Sequence, residues 1–154
     1  MFNKERIIFT IGHSTHSLEN FIFMLQKHDI KMLVDVRRFP TSRKHPQFQK
    51  EVLEKGLSRV NIGYQWLGDF LGGYRTGGYK AYTRTETFQQ GLQQLEALAQ
   101  QQTTAFMCAE LLFFRCHRRF IADKLVERGW RVFHIMEKAK LYQHKGGRHE
   151  QDNR

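Results

Sequence analysis

Four stretches of the chain are apolar on nearly consecutive positions and rich in β-branched and aromatic residues: RIIFTI (6–11), KMLVDV (31–36), TTAFM (103–107) and RVFHI (131–135). A strand with one wet face alternates, whereas a run without alternation is buried on both faces, as in a parallel sheet covered by helices. NIGYQWLG predicts a further strand near 61–67. Between these runs the period changes. Leu18, Phe21, Ile22 and Leu25 fall at i, i+3, i+4 and i+7, and Phe88, Leu92, Leu95 and Ala99 follow nearly the same spacing, so each set makes one helical stripe. A third helix starting near Cys116 turns Ile121, Ala122 and Leu125 inward. Ser17 is placed to cap the first helix, Pro46 to occupy the first position of another, and Gly56 and Gly129 to end helices. Strand and helix in alternation predict right-handed crossovers. The expected fold is α/β: a three-layer single domain with a mostly parallel, Rossmann-like sheet over residues 1–137. Residues 138–154 read as a basic, flexible tail.

Composition narrows the class. A length of 154 residues suits one domain, and 40% hydrophobic with 13% aromatic residues fits a packed core, with thirteen Phe to bury. No apolar run reaches 18 residues and the start lacks the long apolar stretch of a signal peptide, so a cytoplasmic protein without membrane association is expected. Two cysteines in such a chain are expected as free thiols. The net charge of +10 points to anionic partners, namely nucleotides or nucleic acid. Oligomeric state is not encoded in any of these patterns.

Ligands of parallel α/β sheets bind beyond the carboxyl ends of the strands. There the chain carries Gly12, His13 and Ser14 after the first strand, Asp35, Arg37, Ser42 and Arg43 after the second, and Cys108 and Glu110 after the fourth. Taken singly, Asp35 and Arg37 read as a structural ion pair and His13 as a core histidine; the convergence of the set points to a site. Cys116, His117 and Arg118 are expected in the first turn of the last long helix, where backbone N–H groups favour a thiolate or a bound anion. That favours Cys116 as the nucleophile over Cys108, which leaves a buried strand and should be shielded. Arg118 would hold the anion, while Glu110, His13 and His117 are candidates for proton transfer. The excursion 68–85, with five Gly, three Tyr and two Arg, reads as a long irregular loop serving the site. Cys-x7-Cys-His matches no zinc spacing, and the first arginine after Cys108, Arg115, misses the Cys-x5-Arg phosphatase pattern by one residue. No phosphate-binding glycine motif follows a strand. No metal or cofactor is expected.

TIGHS, DVRRFPTSRKHPQF, YQWLGDFLGG and CAELLFFRCHR together resemble the domain-of-unknown-function family 488, over about residues 7–136. The resemblance implies a compact α/β domain with shared polar motifs at strand ends: Gly12, His13 and Ser14; Asp35, Arg37, Pro40, Ser42 and Arg43; Gly72 and Gly73; and Cys108, Glu110, Cys116, His117 and Arg118. It implies no activity. Where the family commonly has proline between the acid and the second cysteine, this chain has Phe113. LVDVRRFP and GWRVFHI carry a weaker similarity to rhodanese-type sulfurtransferases.

The leading expectation is a small hydrolase or transferase acting on a phosphate-bearing substrate, with Arg37, Arg43 and Arg118 on the anion and Cys116 or Glu110 doing chemistry. The alternative is a non-catalytic nucleic-acid module, in which Tyr74, Tyr79 and Tyr82 stack on unpaired bases. Rhodanese-like sulfur transfer is a lesser third reading.

Overall fold

The computed structural model describes residues 5–145. In chain order it comprises β1 (Ile7–Gly12), α1 (Leu18–Lys27), β2 (Met32–Asp35), α2 (Lys50–Ser58), β3 (Gly63–Trp66), two one-turn helices α3 (Gly68–Leu71) and α4 (Tyr79–Tyr82), α5 (Glu86–Gln101), β4 (Thr104–Cys108), α6 (Arg118–Glu127), β5 (Arg131–Ile135) and β6 (Leu141–Gln143). The six strands form one sheet in the order β3-β2-β4-β1-β5-β6. All neighbours are parallel except β5 and β6, which are antiparallel. The chain is thus an α/β domain with a mostly parallel sheet, as the strand runs predicted.

Period-two alternation inside each apolar run feeds two cores. Ile11, Leu33, Ala105 and Met107 pack with Phe21 and Leu25 of α1 and Leu53 and Leu57 of α2. Val34, Phe106, Cys108 and Val132 pack on the opposite face with Phe88 and Leu92 of α5 and Ile121 and Leu125 of α6. The connections after β1 and β2 therefore leave toward one face and the connection after β4 toward the other. On both sides of β4 the chain parts at the carboxyl edge, which opens a crevice there. Register brings the strand ends level: Gly12 lies opposite Cys108, and Asp35 opposite Met107.

Ser17 caps α1 through its Oγ, which accepts from the Asn20 amide at 3.0 Å, and Gly129 follows α6 with φ of 94°, a conformation that favours glycine. Other boundaries differ from the sequence reading. Pro46 opens a 3₁₀ turn, Pro46–Phe48, rather than α2. Gly56 lies inside α2, where a Cβ would come within 2.9 Å of Leu18 Cδ2; it is a close-packing glycine between α1 and α2, not a stop. The excursion 68–85 is more regular than its composition suggests, because Tyr79 and Tyr82 donate to the carbonyls of Leu71 and Phe70 and tie α4 onto α3. β6 falls within the stretch read as tail. Its three residues are all exposed, so it carries no apolar period to detect. The remainder of that stretch, 146–154, lies outside the described residues. No helix among the described residues is long and apolar enough to cross a membrane.

Candidate functional site

The carboxyl edge is tied together by backbone before any side chain acts. The amides of His13 and Ser14 donate to the carbonyls of Cys108 and Ala109 at 2.9 and 2.8 Å. The segment after β4 thus runs across the end of β1, and a Cβ on Gly12 would meet the Glu110 carbonyl oxygen at 1.7 Å. Glycine is required there by close approach. The same loop then folds back as a 3₁₀ turn, Phe113–Arg115, into α6.

Between the ends of β2 and β4 this edge encloses a pocket of about 410 Å³, a size typical of small-molecule sites. Cys108, Glu110, Cys116, His117, Arg37, Gly73 and Tyr79 line it, together with Arg38, Phe39, Tyr74 and Arg115, which were not among the sequence-based site residues of the leading reading. Tyr74 and Phe39 are 84% and 65% exposed, with ring centroids 6.1 Å apart. The Arg38 guanidinium donates to the Tyr74 carbonyl at 2.6 Å and lies 5.8 Å from the Phe39 ring. An adjacent Arg-Arg-Phe after a strand was the available signal for this rim.

Cys116 precedes the N-cap of α6, which is His117, and lies one residue earlier than predicted relative to the helix. Its sulfur nonetheless accepts from the Arg118 amide at 3.4 Å. His117 Nε2 donates to the Val36 carbonyl at 3.1 Å, which leaves Nδ1 as an acceptor facing Cys116 Sγ at 3.5 Å. Burial lowers the His117 pKa to about 4, against the bond to Val36 that raises it, so the ring is neutral at pH 7. The two cysteines, expected as separate free thiols, are paired with each other. The folded-back loop brings together positions eight apart, which linear spacing does not reveal.

Several candidates are occupied elsewhere. Asp35 accepts from Arg37 Nε, Nη2 and backbone N–H at 2.9, 2.7 and 3.0 Å, and from the Tyr64 hydroxyl. Its carboxylate is consumed by the ion pair. Burial, with Asp35 next, raises the Tyr64 pKa, so that hydroxyl stays protonated. Ser42 Oγ accepts from the His45 amide at 2.9 Å in the loop ahead of the 3₁₀ turn. Exposed Arg43, half-buried Ser14 and buried Gly72 all lie outside the pocket lining. His13 stacks on Phe48 at 4.3 Å and donates from Nδ1 to the Ser14 carbonyl, and its buried Nε2 has no hydrogen-bond partner among the described residues. Glu110 is exposed at the rim of the pocket.

Arg118 departs furthest from expectation. It is 1% exposed and does not reach the pocket as an anion ligand. Its Nε donates to Cys108 Sγ at 3.0 Å, Nη1 to Thr10 Oγ1 at 2.8 Å, and Nη2 to the carbonyls of Glu110 and Leu111 at 2.8 and 3.2 Å. Thr10 Oγ1 lies 2.6 Å from His134 Nδ1, His134 Nε2 lies 2.9 Å from His144 Nδ1, and His144 Nε2 lies 2.6 Å from Asp123 Oδ1. None of Thr10, His134, His144 and Asp123 was marked by sequence, since they stand on β1, on β5, after β6 and on α6.

The model of the family described as Domain of unknown function DUF488 matches residues 17–125. The chain belongs to DUF488. The DUF488 match takes in β2, β3, β4 and the pocket wall from Arg37 to His117, and ends two residues before α6 does. Gly12, His13 and Ser14 lie ahead of it. Among curated proteins and solved structures no match is found. DUF488 membership carries no activity with it, so the chemistry rests on the pocket.

Proposed function

We propose that the chain is a small enzyme acting on a phosphate-bearing substrate, a nucleotide or nucleic acid, in the pocket at the carboxyl edge. One observation carries the reading: a single pocket holds a cysteine–histidine pair, three arginines and two exposed aromatic rings. Arg38 and Arg115 supply the cationic donors for phosphate oxygens, while Arg37, committed to Asp35, acts through its field. Phe39 and Tyr74 flank the base. In the reduced protein Cys116 passes its proton to His117 Nδ1 and attacks, and Glu110 at the rim exchanges protons with leaving group or water, as in a hydrolase or transferase.

Exposure of the Phe39–Tyr74 pair favours the second reading, a nucleic-acid-binding module, over the original tyrosine trio, of which Tyr79 and Tyr82 have their hydroxyls bound to backbone. The two readings separate in one set of measurements on reduced protein. Under the enzyme reading, nucleotides or short single strands protect Cys116 from alkylation, and Cys116→Ser and Glu110→Gln lose turnover while keeping salt-dependent binding. Binding that is lost in Phe39→Ala and Tyr74→Ala but indifferent to alkylation supports the module. Absence of both binding and protection removes the phosphate reading.

A further inference from the structure

Arg118 presents a problem of charge. A guanidinium taken out of water needs an anion, or it costs several kcal/mol. Among the described residues no carboxylate forms an ion pair with Arg118; Glu110 bonds it through its backbone carbonyl, and its charge acts on the guanidinium only from a distance. Its partners are a threonine hydroxyl, two carbonyls and one sulfur. Of these, only Cys108 can become an anion. Burial pulls the Arg118 pKa down to about 9, which still leaves it charged at pH 7 and in want of a counter-ion.

The rest of the neighbourhood acts in the same direction. The pocket that Cys108 lines also holds Arg38 from the segment after β2, Glu110 and Arg115 from its own loop and His117 at the start of α6, with Arg118 bonded to the sulfur. With Arg37 matched to Asp35, the cations Arg38, Arg115 and Arg118 outnumber the Glu110 carboxylate. Beyond Arg118 the hydrogen bonds run in one direction. Its cation donates to Thr10, so the hydroxyl donates to His134 Nδ1, His134 Nε2–H to His144 Nδ1, and His144 Nε2–H to the Asp123 carboxylate. Such a chain polarises along its length and fixes the guanidinium with Nε toward the sulfur. Cys116, in contrast, has one neutral donor, the Arg118 amide at 3.4 Å, and faces the lone pair of neutral His117, a partner suited to removing a thiol proton.

We propose that Cys108 and Cys116 form a thiol–disulfide exchange centre, in which Cys108 is the attacking thiolate held by Arg118 and Cys116 with His117 is the resolving pair. The substrate class is a disulfide carrying anionic groups, which Arg38 and Arg115 would draw into the pocket. The Cys108 thiolate attacks one sulfur of the substrate; the substrate S–S bond breaks, a mixed disulfide forms on Cys108 and the first substrate thiolate leaves. Cys116 gives its proton to His117 Nδ1 and attacks Cys108 Sγ. The mixed disulfide breaks, the second substrate thiolate leaves with that proton, and Cys108 and Cys116 are joined, as they are in this structure. The dithiol has lost two electrons and the substrate disulfide has gained them. An external thiol reductant restores the dithiol. This activity stands whether or not the pocket binds a nucleotide; if both readings hold, the joined pair is the form without a free nucleophile.

The test uses the full chain, reduced. In Cys116→Ser, thiolate absorbance against pH is expected to give a Cys108 midpoint at least about one unit below the ordinary thiol value of about 8.5. Adding Arg118→Lys should retain most of that depression and adding Arg118→Gln should abolish it. With glutathione disulfide as probe, the wild type should close Cys108–Cys116, whereas Cys116→Ser should stop at a mixed disulfide located on Cys108 by mass spectrometry. A Cys108 midpoint at or above about 8.5 in folded Cys116→Ser, or a trapped mixed disulfide on Cys116 in Cys108→Ser formed faster than on Cys108, overturns the proposal. The single variant keeps Arg118, so the result does not depend on the Arg118 variants folding. Nucleotide binding measured on the same protein fails or succeeds separately.

Discussion

Two buried arginines stand at the same edge of the sheet and are neutralised in different ways. Arg37 grips Asp35 through two guanidinium nitrogens and its own amide, and Tyr64 completes the carboxylate. Its charge is settled within one strand end. Arg118 has carbonyls, a hydroxyl and a sulfur, with the nearest engaged carboxylate, Asp123, reached only through three intervening side chains. A cation matched to a carboxylate is finished structure. A cation matched to a thiol is complete in one chemical state of that thiol and incomplete in the other, and so ties stability to the state of the site.

The largest expected effect tests the finished pair. Asp35→Ala leaves Arg37 buried and unmatched and should cost about 3–5 kcal/mol in urea unfolding. A loss under about 1 kcal/mol would mean that the pair does not secure the end of β2. Acid comes next, because it adds a second cation beside each arginine. His13 is lowered to about 4 by burial, with Arg37 contributing, and His134 is lowered further by burial, His144 and Arg118. Both folded values lie below the unfolded value of about 6.5, so the unfolded chain binds protons that the folded protein refuses. Their contribution is full well above pH 6.5 and declines as pH falls toward 4, by about 2 kcal/mol for the two between pH 6.5 and 5.5. Stability that is flat over that interval breaks the link between these rings and the arginines.

Arg118→Met should cost about 1–3 kcal/mol through the carbonyls it orphans, and the loss should be greater in reduced protein, where a thiolate is left behind, than in the disulfide form. Equal losses with and without reductant would erase the distinction between the two arginines. The smallest effect is expected at the far end of the chain. Asp123→Asn keeps an acceptor for His144 but removes the charge, and should cost less than about 1 kcal/mol in urea unfolding.

The parts of this molecule legible in the sequence were those with a period or a cap. Five strand runs and the stripes of α1 and α5 showed because burial on both faces of a sheet, or on one face of a helix, writes itself into local spacing. β6 was not legible, since its three residues bury nothing. At the site, the convergence of Cys108, Glu110, Cys116, His117 and Arg37 on one pocket followed from strand ends being level. The roles within it did not. Ser42 and Asp35 are polar residues whose partners sit two or three positions away, a local use that the polar count could not separate from ligand binding. Arg118 was placed in an anion seat because a helix start favours anions, whereas its side chain turns back into the sheet toward Thr10, 108 positions earlier. Such long-range matches leave no trace in neighbouring residues.

Phe113 lies flat on His134, with ring centroids 3.7 Å apart and planes 7° apart, and Tyr142 stacks beside it at 5.5 Å. The middle of the Arg118–Asp123 chain is thereby insulated, as a conductor is by its sheath. His134 is fully shielded, His144 nearly so, and Asp123 is the member that meets water, at 20% side-chain exposure. Of the linked side chains from His134 outward, Asp123 is therefore the one through which the chain meets solvent.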